Sequence, residues 1–429
     1  MTPERELRAA GPLLVAAGLA VVAAVAYTVS TGLVGVDLKV CAAFTAFIVL
    51  GEILRITLPG GRQTAPLAAA GSLAFALLPS FGGQAIAPTA ALAVALAVTV
   101  VTIGSVVGAF PRALVGRGIH LDELARRVLT TLFAAALFRP MLPYLEPKTT
   151  ADPAWELALG MTFAAVLAAV IDAVLAAAVR SSQSRAPFRT AIVDEFRALV
   201  GISSAIAATG VLIALAAPIM GYWALPVFAV PLLLTQFSFR RYATIEGTYL
   251  QTIRSLSKVT EVGGYTETGH SRRVSRLAVT VGREMGVSER DLTDLEYAAL
   301  MHDIGQLSLT EPIPGGATTM VAPVHQRRIA ELGAEVIRQT GVLDRVADIV
   351  ERQADPYRPY RGQLDADLPV ESRIIKAVNA YDDLVGASLE SDRKLQAVER
   401  LQLGIDREFD PTVVDTLARI VERQTEYAY

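Results

Sequence analysis

The strongest constraint on this chain is a series of eight apolar runs that fills its first 237 residues. They lie near 12–30, 38–54, 65–80, 88–109, 128–145, 155–179, 198–217 and 221–237 and are built from Ala, Leu, Val, Ile and Gly. Such runs suit helices that cross a bilayer, where every backbone N–H and C=O must be paired within the protein. The third run is the shortest, and the fifth is interrupted by Arg139-Pro140 and Pro143. Charge is distributed in the opposite sense: residues 1–236 hold 27 of the 81 Asp, Glu, Lys and Arg side chains, and residues 237–429 hold 54. The second part carries 24 basic and 30 acidic residues. This balance lacks the basic footprint of nucleic-acid binding, so DNA and RNA are not expected partners. The single cysteine, Cys41, lies inside an apolar run, which excludes a disulfide framework and a cysteine metal site. Any metal chemistry must use carboxylates and the four histidines, His120, His270, His302 and His325.

Arg5 and Arg8 precede the first run as in a secretory signal, but no small-residue cleavage site closes it and more apolar runs follow at once. The reading is an uncleaved span, and eight spans place both termini on one side. Arginines test this. Arg5, Arg8, Arg55, Arg62, Arg112, Arg117, Arg126, Arg127, Arg180, Arg185, Arg189, Arg197, Arg240 and Arg241 fall on one side, whereas Lys148 is alone in the opposite loops. The positive-inside rule then expects both termini in the cytoplasm, for an integral protein of the cytoplasmic membrane in contact with its lipid. Two acids lie within the runs. Glu52, near a run's end, is expected to snorkel. Asp172 sits deeper, either as a functional group with Arg139 as its partner or as a neutral Asp hydrogen-bonded between helices.

From 238 to 262 the helical pattern continues with one apolar stripe: Tyr242, Ile245, Tyr249, Ile253, Leu256 and Val259 at spacings of three and four. Such a stripe packs on its own domain or on a second copy. The expectation is a parallel homodimer joined through residues 242–260.

Two strings beyond the stripe bear chemistry. In YTETGHSRRVSRLAVTVGREMGV (265–287), His270 shares a helical face with Val274, Leu277 and Val281. In DLEYAALMHDIGQL (294–307), His302 shares a face with Leu295, Ala298 and Ala299, Asp303 follows directly, and Gly305 breaks the helix. Two imidazoles and one carboxylate suit a divalent ion such as Mn, Fe or Zn. A lone core His or a lone His-Asp pair is weak evidence. Six blocks in order are stronger: TIRSLSKVTEVGGYT, GHSRRV, LMHDIG, ELGAEVI (331–337), ESRIIKAVNAYDDL (371–384) and REFDPTVVDTLARIV (407–421). Together, over roughly 245–425, they resemble the HD superfamily of metal-dependent phosphohydrolases, and within it the HD-GYP family of cyclic di-GMP phosphodiesterases. The resemblance implies an all-α chain. A polytopic transmembrane helix bundle (1–237) and a connecting helix (238–262) lead into a cytoplasmic all-helical HD-type domain (263–429).

The departures from the family pattern matter as much. The Lys that the resemblance implies after the HDIG glycine, to contact phosphate, is Gln306. The His implied before ELG is Ile329. The implied His pair is Gln353 and Ala354, the GYP tripeptide is absent, and the Asp implied in the AVNAYDDL block is Asn379. The Asp usual before the YT is missing near Gly263. What remains implies a metal site of His270, His302 and Asp303, with Asn379 as a weak fourth ligand and Asp303 in the catalytic role. Such a set holds one divalent ion at most. His325 could replace a lost ligand or be an ordinary surface His. Asp355, Asp382 and Asp383 lie nearby in sequence, and Asp382 reads as part of the YDxL packing block. Two functions follow as expectations. One is a degenerate signalling module that keeps a cyclic dinucleotide or a protein as its partner. The other is an active mononuclear phosphohydrolase.

Overall fold

The structure, a computed structural model, describes residues 3–57, 63–116, 118, 120–145, 155–311, 313, 316–318, 321–358, 365–388 and 390–426, without the side chains of 3–9. Arg62, Arg117 and Lys148, and the side chains of Arg5 and Arg8, lie outside the described residues. The described residues are mostly helical, and the only strands among them are two ribbons of paired two-residue segments. It divides into two units, one formed by 1–183 and 191–244 and the other by 184–190 and 245–429.

The first unit contains α1 (Pro3–Thr31), α2 (Leu38–Ile53), a β1–β2 ribbon (Ile56–Thr57, Gln63–Thr64) and α3 (Pro66–Leu77). A β3–β4 ribbon (Ser80–Phe81, Gln84–Ala85), α4 (Ala90–Leu114), α5 (Leu121–Leu145), α6 (Trp155–Ser184) and α7 (Phe188–Ala198) follow. A π-helical turn (Leu199–Ser203) leads to α8 (Ser204–Met220), and a short 3₁₀ turn to α9 (Ala224–Val262). Among the described residues, five helical stretches are long and apolar enough to cross a membrane: Ala10–Thr31, Ala90–Leu114, Leu121–Leu145, Trp155–Ser184 and the continuous stretch Phe188–Val262. The third apolar run does not form a full span. Its helix, α3, has 12 residues and covers about 18 Å at helical rise, against about 30 Å of hydrocarbon. The β3–β4 ribbon follows it, and beyond the ribbon Ile86 O accepts from Asp37 N at the start of α2.

Ten of the 12 residues of α3 are buried, so its end groups need partners inside the protein. Helix α5 supplies both. Glu123 Oε1 accepts from Ala65 N at the positive end of α3 (3.3 Å). Arg139 Nε and Nη2 donate to Ala76 O (3.0 Å) and Phe75 O (2.9 Å) at its negative end. Each charge has the sign that the helix dipole favours. The expected Asp172–Arg139 pairing is therefore corrected: Asp172 faces Arg126 at 3.3 Å. Glu52 does not snorkel either. It is buried, bonded to Arg127 and to Arg55 Nη1 (2.7 Å), while Arg127 also reaches Glu123 (3.0 Å) and Ser105 (3.1 Å). Hydropathy places an acid near a helix end, but a partner 75 residues away decides whether it reaches water. Close approach makes this possible: a Cβ on Gly51 would sit 2.3 Å from Ala68 N, and only glycine admits that contact.

The second unit contains the end of α9, then α10 (His270–Glu284), α11 (Glu289–Met301) and a 3₁₀ turn (Ile304–Ser308). It continues through α12 (Pro323–Arg338), α13 (Asp344–Glu351), α14 (Val370–Val385), α15 (Ser391–Gln402) and α16 (Pro411–Glu426). One core joins Val274, Ala278 and Val281 of α10 to Leu295 and Ala299 of α11, Ile374 and Val378 of α14 and Val413 and Leu417 of α16. Burying such a face stabilises by about 1.5–3 kcal/mol per large aliphatic side chain. Ser288 caps α11, its hydroxyl accepting from Asp291 N. Gly305 does more than end a helix: a Cβ there would lie 1.9 Å from Ile329 O, so α12 packs backbone to backbone against the 3₁₀ turn.

Candidate metal centre

Three elements of the second unit converge on one buried point. His270 opens α10, directly after Gly269, whose φ of +81° turns the chain into the helix. His302 caps the end of α11 and Asp303 begins the following turn. Asn379 comes from the middle of α14. All four side chains are buried. Among the described residues, His270, His302 and Asp303 form the group of His, Cys, Asp and Glu whose donor atoms lie close enough to share an ion.

Hydrogen bonds set the tautomers. His270 Nδ1 donates to Asp382 Oδ2 (2.8 Å) and His302 Nδ1 to Ala299 O (2.9 Å), which leaves both Nε2 atoms facing inward, 3.3 Å apart. Asp303 Oδ2 lies 3.4 Å from His270 Nε2 and 3.2 Å from His302 Nε2. Asn379 Oδ1 is 3.2 Å from His302 Nε2, oriented by its own Nδ2 donating to Thr318 Oγ1 (3.1 Å). These separations match the edge of about 3.4 Å expected for four donors around one ion at bond lengths near 2.0–2.1 Å. Asp303 Oδ2 is also buried with no hydrogen-bond partner. An orphaned carboxylate oxygen is costly unless something else satisfies it, and a cation does so directly. The donor set therefore fits a divalent ion.

The electrostatics agree. Burial opposes charge on His270, but the Asp382 hydrogen bond and the nearby Asp303 and Asp382 carboxylates overcome it and raise its pKa to about 10. Burial likewise opposes charge on Asp303, yet His302 and His270 hold its carboxyl well below the usual carboxylate range. Asp382 stays below its ordinary value against burial through His270 and Arg273. Arg273 Nε and Nη2 donate to it at 2.9 Å, and Arg273 is itself fixed by Glu267 at 2.7 Å.

Asp382 and Arg273 are the site residues that sequence reading missed. The YDxL block does pack, but its aspartate packs onto the imidazole of a motif 112 residues earlier. Gln353 Nε2 donates to His302 O (2.7 Å). Gln306 is fully buried, its Nε2 on Gly316 O (3.4 Å), and Ile329 is buried beside Gly305. His325 is exposed on the first turn of α12, and Asp355 pairs with Arg352 at 3.2 Å; neither joins the cluster.

In this all-helical unit a His and a later His-Asp pair meet at one buried point, and its residues 261–413 match the HD domain family. Two relatives extend the comparison. One is the cyclic di-GMP phosphodiesterase response regulator RpfG of Xanthomonas campestris pv. campestris (strain 8004), 28% identical over 178 residues. The other is a cyclic di-GMP phosphodiesterase of Thermotoga maritima (strain ATCC 43589 / DSM 3109 / JCM 10099 / NBRC 100826 / MSB8), 23% identical over 168 residues. These matches cover 38% and 37% of this chain, and 47% and 45% of the relatives, so the chain spans a little under half the length of the relatives it matches.

Proposed function

We propose that this chain is a membrane-anchored HD-domain signalling protein whose site holds at most one divalent ion and serves as a binding or output module, with cyclic di-GMP hydrolysis very slow or absent. Anchoring is supported by the five stretches of spanning length and by an apolar outer surface, on which Leu19, Val22, Val29 and Phe163 are each more than half exposed. Both termini lie in the cytoplasm in this reading, on the arginine asymmetry. The single observation that carries the output role is the donor set itself: two imidazoles, one carboxylate and one neutral amide around a single point.

His270, His302 and Asp303 would hold Mn, Fe or Zn, with Asn379 as a weak fourth ligand. A bound ion would supply Lewis-acid polarisation of a phosphoryl oxygen. The chain's own residues orient the donors: Asp382 aims His270, Ala299 aims His302, and Thr318 aims Asn379. What they do not provide is a second anionic ligand beside Asp303. The residue after Gly305 is a neutral amide, Gln306, turned onto a backbone carbonyl, so it offers developing phosphate charge no cation. One specific feature favours the alternative, an active mononuclear phosphohydrolase: the buried Asp382–His270 support is what a working ligand needs. Metal analysis and a hydrolysis assay of the purified full-length chain with added manganese or iron separate the two. The proposal expects no more than one ion per chain and negligible turnover of cyclic di-GMP. Turnover near about one per second, in the ordinary enzyme range, that is abolished by His302→Ala would overturn it.

A further inference from the structure

The first unit has an open cavity of its own. A cavity of about 370 Å³ lies between α3, α5, α6 and the π-helical turn before α8, within the size range of small-molecule sites. Its space comes from composition. Ala165, Ala168, Ala169 and Ala173 of α6 line it with methyl groups where longer side chains would fill it. Ala165, Ala169 and Ala173 follow one another at intervals of four, with Ala168 beside them, and form one small-residue face.

Two ion pairs between helices form part of its polar lining. Arg126 comes from α5 and Asp172 from α6, and their charged atoms approach to 3.3 Å. That is longer than the roughly 2.7–2.9 Å of a well-formed charged hydrogen bond. The Asp172 side chain keeps 44% of its surface exposed, and that of Arg126 keeps 15%. Arg180 of α6 and Glu195 of α7 make a second opposed pair on the wall at 3.1 Å. The wall is also the place where the backbone departs from α geometry. Leu199–Ser203 is π-helical with Gly201 at φ −87°, ψ −117°, and Leu199, Ile202 and Ser203 line the cavity. Such turns recur at functional sites.

A lone anion in this space meets Asp122, Glu123, Asp172 and Glu195, and a lone cation meets Arg126, Arg127 and Arg180. A wholly apolar guest strips water from these charges without replacing it. A guest that carries both signs satisfies lining groups of both signs. We propose that the cavity binds a small zwitterionic molecule, its anionic group on Arg126, its cationic group on Asp172 and a short aliphatic body along the alanine face.

The same chemistry has two sources, a free amino-acid-like solute or the headgroup of a zwitterionic phospholipid. The test is the thermal unfolding midpoint of the full-length protein in nanodiscs. In phosphatidylglycerol discs, L-leucine is the probe, with 4-methylpentanoate and isopentylamine as the single-charge counterparts. In a parallel arm, phosphatidylethanolamine is added to the discs. The expected result is a concentration-dependent rise of several degrees with leucine (a free solute) or with phosphatidylethanolamine (a lipid). The single-charge compounds leave the midpoint unmoved, and Asp172→Asn or Arg126→Gln weakens the apparent affinity at least tenfold. Ala169→Leu, which fills the space and keeps every charge, removes the rise and guards against variants that fail to fold. No rise with either probe, an equal response to the single-charge compounds, or a rise that survives both Asp172→Asn and Ala169→Leu would overturn the proposal.

Discussion

Asp382 Oδ2 on His270 Nδ1 is the contact through which the packing of α14 reaches the candidate metal centre. Removing such a support typically lowers metal affinity by about 10–100-fold. Asp382→Ala is expected to weaken manganese binding by that amount while His302→Ala abolishes it, both read by metal titration of the full chain; equal affinities in wild type and Asp382→Ala would refute the role. Protonation gives a second expectation. With no metal bound, His270 is raised from an ordinary value of 6.5 to about 10, so the stability its proton contributes is complete below about 6.5 and lost as pH rises through about 10. A metal ligand must shed that proton. Asp303 is already ionised throughout this window, because its pKa is lowered. Apparent metal affinity should thus climb by up to about tenfold per pH unit, or about 1.4 kcal/mol, until pH nears about 10, and titrations at pH 6.5, 7.5 and 8.5 check it. At this scale His270, His302 and Asp303 were legible because each stands in a short string with helical periodicity. Asp382 was not, because its role depends on a contact 112 residues away.

At the scale of elements, the apolar runs were legible as helices but their lengths were not. The run 65–80 breaks at Leu77, where the chain turns into a ribbon around Gly82 and Gly83, both at positive φ. Pro79, Ser80, Gly82 and Gly83 mark the turn, but a window as long as a membrane span averages them with the apolar residues around them and passes over the break. The consequence is a short buried helix whose two ends depend on one neighbour. Arg139→Leu leaves the carbonyls of Phe75 and Ala76 without the donors they have now, at a cost of about 1–3 kcal/mol for each buried group left unsatisfied. The variant should therefore unfold several degrees below wild type in detergent. Arg139→Lys keeps a charge but loses the planar fork and should fall between them. A midpoint unchanged in Arg139→Leu would show that α3 does not rely on this contact. The Glu52–Arg55–Glu123–Arg127 network was hidden for the same kind of reason, since its members come from α2, the β1–β2 approach and α5.

On the scale of the whole molecule, α9 is the continuous element, one helix from Ala224 to Val262 that leaves the last apolar run and enters the HD-domain unit. Its sequence stripe divides in the structure. Ile253 is buried in the core of the second unit, whereas Tyr242, Ile245, Tyr249, Leu256 and Val259 remain between 42% and 61% exposed. Five large apolar side chains along one helix, beyond a segment of spanning hydropathy, form an exposed patch that water disfavours. A second copy held in the same membrane would meet it in parallel register at high effective concentration, which is the arrangement a two-helix seam with this spacing requires. The expectation is a parallel homodimer through residues 242–260. Cys41, the one native cysteine, is buried, so Cys41→Ala supplies a clean background for Tyr249→Cys and for Leu256→Cys. Mild oxidation in native membranes should link each variant to its counterpart as a disulfide dimer, and adding Val259→Glu should suppress the link at Leu256→Cys by placing like charges across the seam. A monomeric mass at micromolar concentration in mild detergent, together with no crosslink at either position, would rule the dimer out and leave the stripe as a surface of the single chain.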